Sequence, residues 1–185
     1  MSRSDTRDQI LNAAAKLFAE NGYTATSVDD IASKAGVAKG SVFYNFGSKS
    51  NVIEAVLDRG VMRLGSSLAQ ARRGLSGQPA LAVMVREMLA QIRNHTDFAK
   101  ILAAEVFRVG RQWEDSVGQV RASAISQFSS VISEMRPDLD ADLVAGAVFG
   151  SILVTGLEWV VFQPDRSFDD VQAAIDILVA GLERA

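Results

Sequence analysis

Along the whole chain the apolar residues return every three or four positions, and no segment alternates apolar with polar residues as a half-buried strand would. In the first fifty residues this pattern predicts three helices. An opening helix carries Ile10, Leu11, Ala13, Ala14, Leu17 and Phe18. Val28, Ile31, Ala32 and Ala35 then fall at i, i+3, i+4 and i+7, the buried face of about two helical turns. Thr26 and Ser27 precede that face with Asp29 and Asp30 three residues on, a capping-box arrangement, and Gly36 follows it where a left-handed residue ends a helix. After this corner, AKGSVFYNF turns Val42 and Phe46 inward and leaves Lys39, Gly40, Ser41, Tyr44 and Asn45 facing water.

Past residue 50 the helical period continues. One helix from 48 to about 73 has Ile53, Leu57, Gly60, Leu64 and Leu68 on its inner face and is roughly 40 Å long. Residues 74–79 read as a linker, and further helices are expected at about 79–93, 97–109, 113–135, 140–162 and 168–184. The expectation is an all-α protein of nine helices: a helix-turn-helix unit over 1–50 and a helical body for ligand binding and dimerisation over 51–185. With 3 prolines at expected helix boundaries and no cysteine, a disulfide framework and thiolate metal sites are excluded.

Charge adds a functional direction. Between Asp30 and Glu54 there are lysines at 34, 39 and 49 and no carboxylate, although the chain carries a net charge of -3. The first fifty residues sum to +1 and the remainder to -4. Over a screening length of about 8 Å the local lysines outweigh the distant acidic body, so phosphate attraction is confined to the head. A helix that begins with small residues can enter a DNA major groove. Gly40 and Ser41 permit close approach, Lys39 reaches phosphate or guanine, Asn45 hydrogen-bonds a base edge or the backbone, and Tyr44 stacks on sugar or reaches a phosphate. Ser48 caps the next helix, whose positive end with Lys49 suits one more phosphate. The same features also fit a solvated helical corner with ordinary surface lysines.

The first fifty residues resemble the DNA-binding domain of the TetR/AcrR family of bacterial transcriptional regulators. The likeness is carried by R..IL.AA..LF from Arg7, then GY..TSV.DIA..AGV.KGS, then F.SK at Phe46, Ser48 and Lys49, without a gap over about a quarter of the chain. It implies DNA contacts at Thr26, Ser27, Lys39, Gly40, Ser41, Tyr44, Asn45 and Lys49. Phe43 stands where that family usually has tyrosine and Asn45 where it often has histidine, which bears on the operator contacts.

In the body, Phe98, Ile101, Leu102, Val106 and Val109 share a helix face with Glu105. A carboxylate in an apolar stripe requires a partner, and Arg121, in a row with Val117, Ala124 and Phe128, is a candidate. The pair is either structural or the polar anchor of an apolar pocket lined by Met88, Ile92, Phe98, Leu102, Trp113 and Phe128. The resemblance places a small-molecule inducer site in this region without naming the molecule.

LVAGAVFGSILVTGL is uncharged over 15 residues and holds Gly146 and Gly150 in G-x-x-x-G spacing. A span needs about 20 apolar residues and Glu158 interrupts this run, so a buried helix rather than a membrane span is expected. The last helix, with Ser167 and Asp170 as a capping box, runs Phe168, Val171, Ile175, Leu178 and Leu182 at 3-4 spacing. Both helices either complete the core or, with Gly146 and Gly150, form a homodimer interface, as the resemblance to a family with a four-helix dimer bundle implies.

Enzyme motifs are absent: there is no G-x-S-x-G, no phosphate-binding G-x-x-x-x-G-K-[ST], no G-x-G-x-x-G and no H-E-x-x-H. His95 is the single histidine and is expected at the surface or as a cap; no cofactor and no metal are expected. MSRSDTRDQIL lacks the apolar core of a signal peptide, which suits a cytoplasmic protein. The expected function is a ligand-released repressor that binds a near-palindromic DNA operator as a homodimer. The competing expectation is a ligand-carrying helical module whose corner does not engage DNA.

Overall fold

The structure, a computed structural model, describes residues 3–106 and 114–182. Among these every regular element is a helix: α1 (Arg3–Ala25), α2 (Val28–Ala35), α3 (Lys39–Phe46), α4 (Lys49–Ala71), α5 (Gly77–Asn94), α6 (Thr96–Val106), α7 (Glu114–Met135), α8 (Ala141–Phe162) and α9 (Phe168–Ala180). The helix starts are written in side chains that take up orphan amides. Ser27, Ser48, Asp140 and Ser167 each accept a hydrogen bond from an amide of the first turn. The helical part of α1 is interrupted at Gly22, whose φ of 77° and ψ of 166° bend the chain toward α2.

Two boundaries differ from the sequence expectation. The connection before α5 is shorter than 74–79, because α5 already begins at Gly77. Pro79 is accommodated in its first turn, where an amide hydrogen has no intrahelical partner to lose. α9 closes at Ala180 rather than 184, and residues 107–109 of the expected sixth helix lie outside the described residues.

Ile10, Leu11, Ala14 and Phe18 of α1 pack over α2, and one continuous core links them to Val171, Ile175 and Val179 of α9. α5 is the central rod of the body, in contact with α4, α6, α7, α8 and α9. Its Leu81, Met84, Val85, Met88 and Leu89 are all buried, each worth about 1.5–3 kcal/mol relative to exposure. α1 packs on α4 and on α6 as well as on α2, so the head is fastened to the body through its longest helix.

Glycine is essential at two helix crossings. A Cβ on Gly60 of α4 would lie 2.0 Å from the Phe98 ring of α6, and one on Gly156 of α8 would lie 2.6 Å from Ile92 of α5. The close approach within the protomer is therefore made by Gly156, whereas Gly150 faces open space. α8 is long and apolar enough to cross a membrane by length and composition, and its inner side packs on α5, α6, α7 and α9.

Candidate nucleic-acid interface and ligand recess

The α2–α3 corner is held by local hydrogen bonds. Asp30 N–H donates to Ser27 Oγ at 3.1 Å, and the Asp30 carboxylate accepts from the Ser27 amide at 2.8 Å and from its hydroxyl at 2.6 Å. These bonds hold the Asp30 carboxyl below the usual carboxylate range. Gly36 adopts the left-handed conformation at φ 66°, and the Val37 amide donates to Ala32 O at 3.0 Å, which turns the chain into α3. α3 starts at Lys39 after Ala38, and no side chain caps it. Its first amides, beside exposed Lys39 and Gly40, are the arrangement that receives a phosphate.

On the outward side of α3, Tyr44 is 73% exposed and Phe43 is 45% exposed. Sequence reasoning treated Phe43 only as a lost hydroxyl, but its ring lies at the surface, where it can meet a thymine methyl. Lys39 Nζ lies 2.9 Å from Asp29, a solvent-exposed pair that gives way easily to phosphate. Ser41 is half-buried on the same helix. Asn45 Nδ2 donates to Ser41 O at 2.8 Å, and its own carbonyl accepts from Arg7 at 3.2 Å.

Two of the eight expected DNA contacts have structural duties that sequence spacing did not reveal. Thr26 is 1% exposed, and its hydroxyl donates to Gly22 O at 2.8 Å and Leu17 O at 3.3 Å, so its side chain seals α1 and does not face solvent. Lys49 Nζ donates to Tyr23 O at 2.9 Å and Thr26 O at 2.8 Å and sits 4.2 Å from the centre of the Tyr23 ring. It clamps the end of α1 to the start of α4. Ser27 remains exposed with its hydroxyl in the cap.

In the body, Met88, Ile92, Phe98 and Leu102 line one apolar recess whose free space is about 20 Å³, closed down to the size of a water by the packed side chains. Phe128 is fully buried and Glu105 is 4% exposed, but neither lines the recess. Trp113 and the side chain of Arg121 lie outside the described residues. Gly60, Arg63, Gln91, His95 and Leu153 complete the lining. His95 is the C-cap of α5, as expected, its amide donating to Gln91 O at 2.9 Å, and it also lines the recess; burial, with Arg63 and Arg59 nearby, pushes its pKa below the usual histidine value.

The expected interface residues divide into two groups. Val171 and Ile175 are buried at 4% and 1% in the protomer's own core, with Phe168 and Leu182 packed against it. Leu178 is 62% exposed and lies outward with Ile177 at 75%. The inward position is Val179, since Leu178 and Val179 both fit a 3-4 apolar spacing. Leu143, Val154, Val161 and Phe162 of α8 are exposed alongside half-buried Gly146 and Gly150.

Residues 10–56 match the family model of bacterial regulatory proteins, tetR family. The HTH-type transcriptional repressor KstR2 of Mycobacterium tuberculosis is 31% identical over 75% of this chain and 73% of its own length. The chain belongs to the TetR family. The fold of this TetR-family regulator is shared by the fatty acid degradation regulator FadR from Bacillus halodurans, with a TM-score of 0.85 at 20% identity and 95% coverage of both chains. FadR from Bacillus subtilis, solved in complex with stearoyl-CoA, has a TM-score of 0.82 at 18% identity and covers 95% of this chain and 98% of its own.

Proposed function

We propose that this regulator is a homodimeric repressor that holds a near-palindromic operator through two copies of α3 and leaves it when a small, largely apolar molecule enters the body. The observation that carries this reading is the outward row of α3: a helix start with no side-chain cap, open space beside Gly40, and exposed Lys39 and Tyr44 on one side of a short, firmly capped corner. A single such helix contacts only a few base pairs, and a twofold axis supplies the matching half-site. The exposed aliphatic side chains of α8 and α9 supply the surface for that axis.

Ligand control follows from the packing. Phe98, Ala99 and Leu102 of α6 line the recess, and α6 also packs on α1, the spine of the head. A molecule that displaces Phe98 therefore biases the tilt of α1, and its effect on operator affinity equals its preference for one tilt over the other. Capture of stearoyl-CoA by the similarly folded B. subtilis FadR supports an acyl-like ligand.

The test is retardation of the DNA upstream of the protein's own gene. Wild type shifts this DNA at low salt, and Lys39→Ala and Tyr44→Ala each weaken the shift by about 1–3 kcal/mol, with Lys39→Ala also lowering the salt slope by about one. No shift by wild type, or equal shifts by all three proteins, would favour a ligand-carrying module that does not use DNA.

A further inference from the structure

Beside the apolar recess lies a second, wider and more polar hollow of about 380 Å³ between α1, α4 and the α5–α6 corner. Arg63, His95 and Phe98 belong to the walls of both, so the two spaces adjoin. We propose that this junction binds the anionic head group, carboxylate or phosphate, of an amphipathic molecule whose apolar tail opens the recess by displacing Phe98. The inference rests on the reading that the body holds a small ligand, and it adds the ligand's charge and the place where that charge acts.

Two arginines of α4 share one wall of the hollow. Arg59 and Arg63 are one helical turn apart on α4 and therefore on the same face. Burial disfavours the charge on both, and Arg63 is further disfavoured by Arg59. Among the described residues Arg63 has no ion pair; its guanidinium lies 5.9 Å from the centre of the Phe98 ring, at the boundary of tail space and head space. Arg93 also lines the hollow but is turned to the Phe168 and Trp159 rings at 5.0 and 5.8 Å. Asp97 is the carboxylate on the wall, and the cations outnumber it.

Arg59 gives the site a consequence. Its guanidinium donates to Asn12 Oδ1 at 2.8 Å and lies 3.7 Å from Asp8, and both partners are on α1. An anion drawn to Arg59 and Arg63 competes with Asp8 and Asn12 for the same donors. Occupation of the hollow thus loosens a strap between body and head at the moment the tail presses on Phe98.

Laurate, dodecyl phosphate and dodecanol, all below their micellar range, test the proposal by titration calorimetry on the full chain. Both anions bind wild type at least tenfold more tightly than dodecanol. Arg63→Gln removes that margin and leaves dodecanol unchanged, Arg63→Lys keeps most of it, and Asp8→Asn tightens both anions severalfold by releasing Arg59. Preference for laurate identifies a carboxylate head, and preference for dodecyl phosphate a phosphate. Dodecanol binding as tightly as the anions, an equal loss of all three in Arg63→Gln, or no binding of any to wild type overturns the proposal. Operator retardation by the same preparations separates this failure from failure of the repressor reading, since a repressor indifferent to head-group charge still shifts DNA.

Discussion

The outer face of α3 and the outer faces of α8 and α9 are both strongly exposed, yet they offer different chemistry. α3 presents Lys39, Gly40 and Tyr44 around a helix start with no side-chain cap, whereas α8 and α9 present Leu143, Val154, Phe162, Ile177 and Leu178. The first face is small, polar and cationic, and suits a charged backbone carrying hydrogen-bonding bases. The second is apolar, and suits a copy of itself. Exposure alone thus does not define a partner. The atoms left exposed do.

The widest separation of the two faces comes from the double change Ile177→Glu with Leu178→Glu. It is expected to yield monomers by sedimentation and, by removing the second half-site, to weaken operator binding by roughly 100-fold or more. Lys39→Ala should leave the dimer intact while weakening the same DNA, and a dimer lost in that variant would undo the distinction. Gly60→Ala probes the link between the faces. Its methyl would meet the Phe98 ring at 2.0 Å, so a cost of about 1–3 kcal/mol is expected in urea unfolding, with a changed response of operator binding to added ligand.

Smaller effects belong to the head. Ser27→Ala removes the cap of α2 and should cost about 1 kcal/mol in the same unfolding experiment, with little change in dimerisation. The least effect is the pH response. His95 has a lowered folded pKa, so its contribution to stability is intact above the ordinary value of about 6.5 and is lost as the pH falls below it. The melting temperature should drop between pH 7.5 and 5.5, and His95→Gln should flatten part of that drop. Asp30, also lowered, acts in a more acidic window: its contribution is present above about pH 4 and declines as the pH falls through its folded value.

Much of the head was legible because its signals are local. A serine three residues before an aspartate, a glycine after the last apolar position and a start of small residues each act within one turn of chain. Thr26 was misread because the carbonyls that hold its hydroxyl are at Leu17 and Gly22, reached only after the bend at Gly22. The structural role of Lys49 was hidden for a similar reason, its carbonyl partners being 23 and 26 residues earlier. In the body, four of the expected recess residues line it, as two i, i+4 pairs on α5 and α6, but Arg63 and His95 come from different helices and carried no joint pattern.

By itself the sequence determined the helical class, the caps and corner of the head, its local positive charge and the apolar faces, because periodicity and capping depend on residues one turn apart. Only the tertiary structure decided which apolar face turns inward, which glycines are crossings, and which cations meet at the base of the head. Those outcomes depend on how helices distant in sequence fill space against each other, and a side chain's partner across such a contact is not encoded in its spacing along the chain.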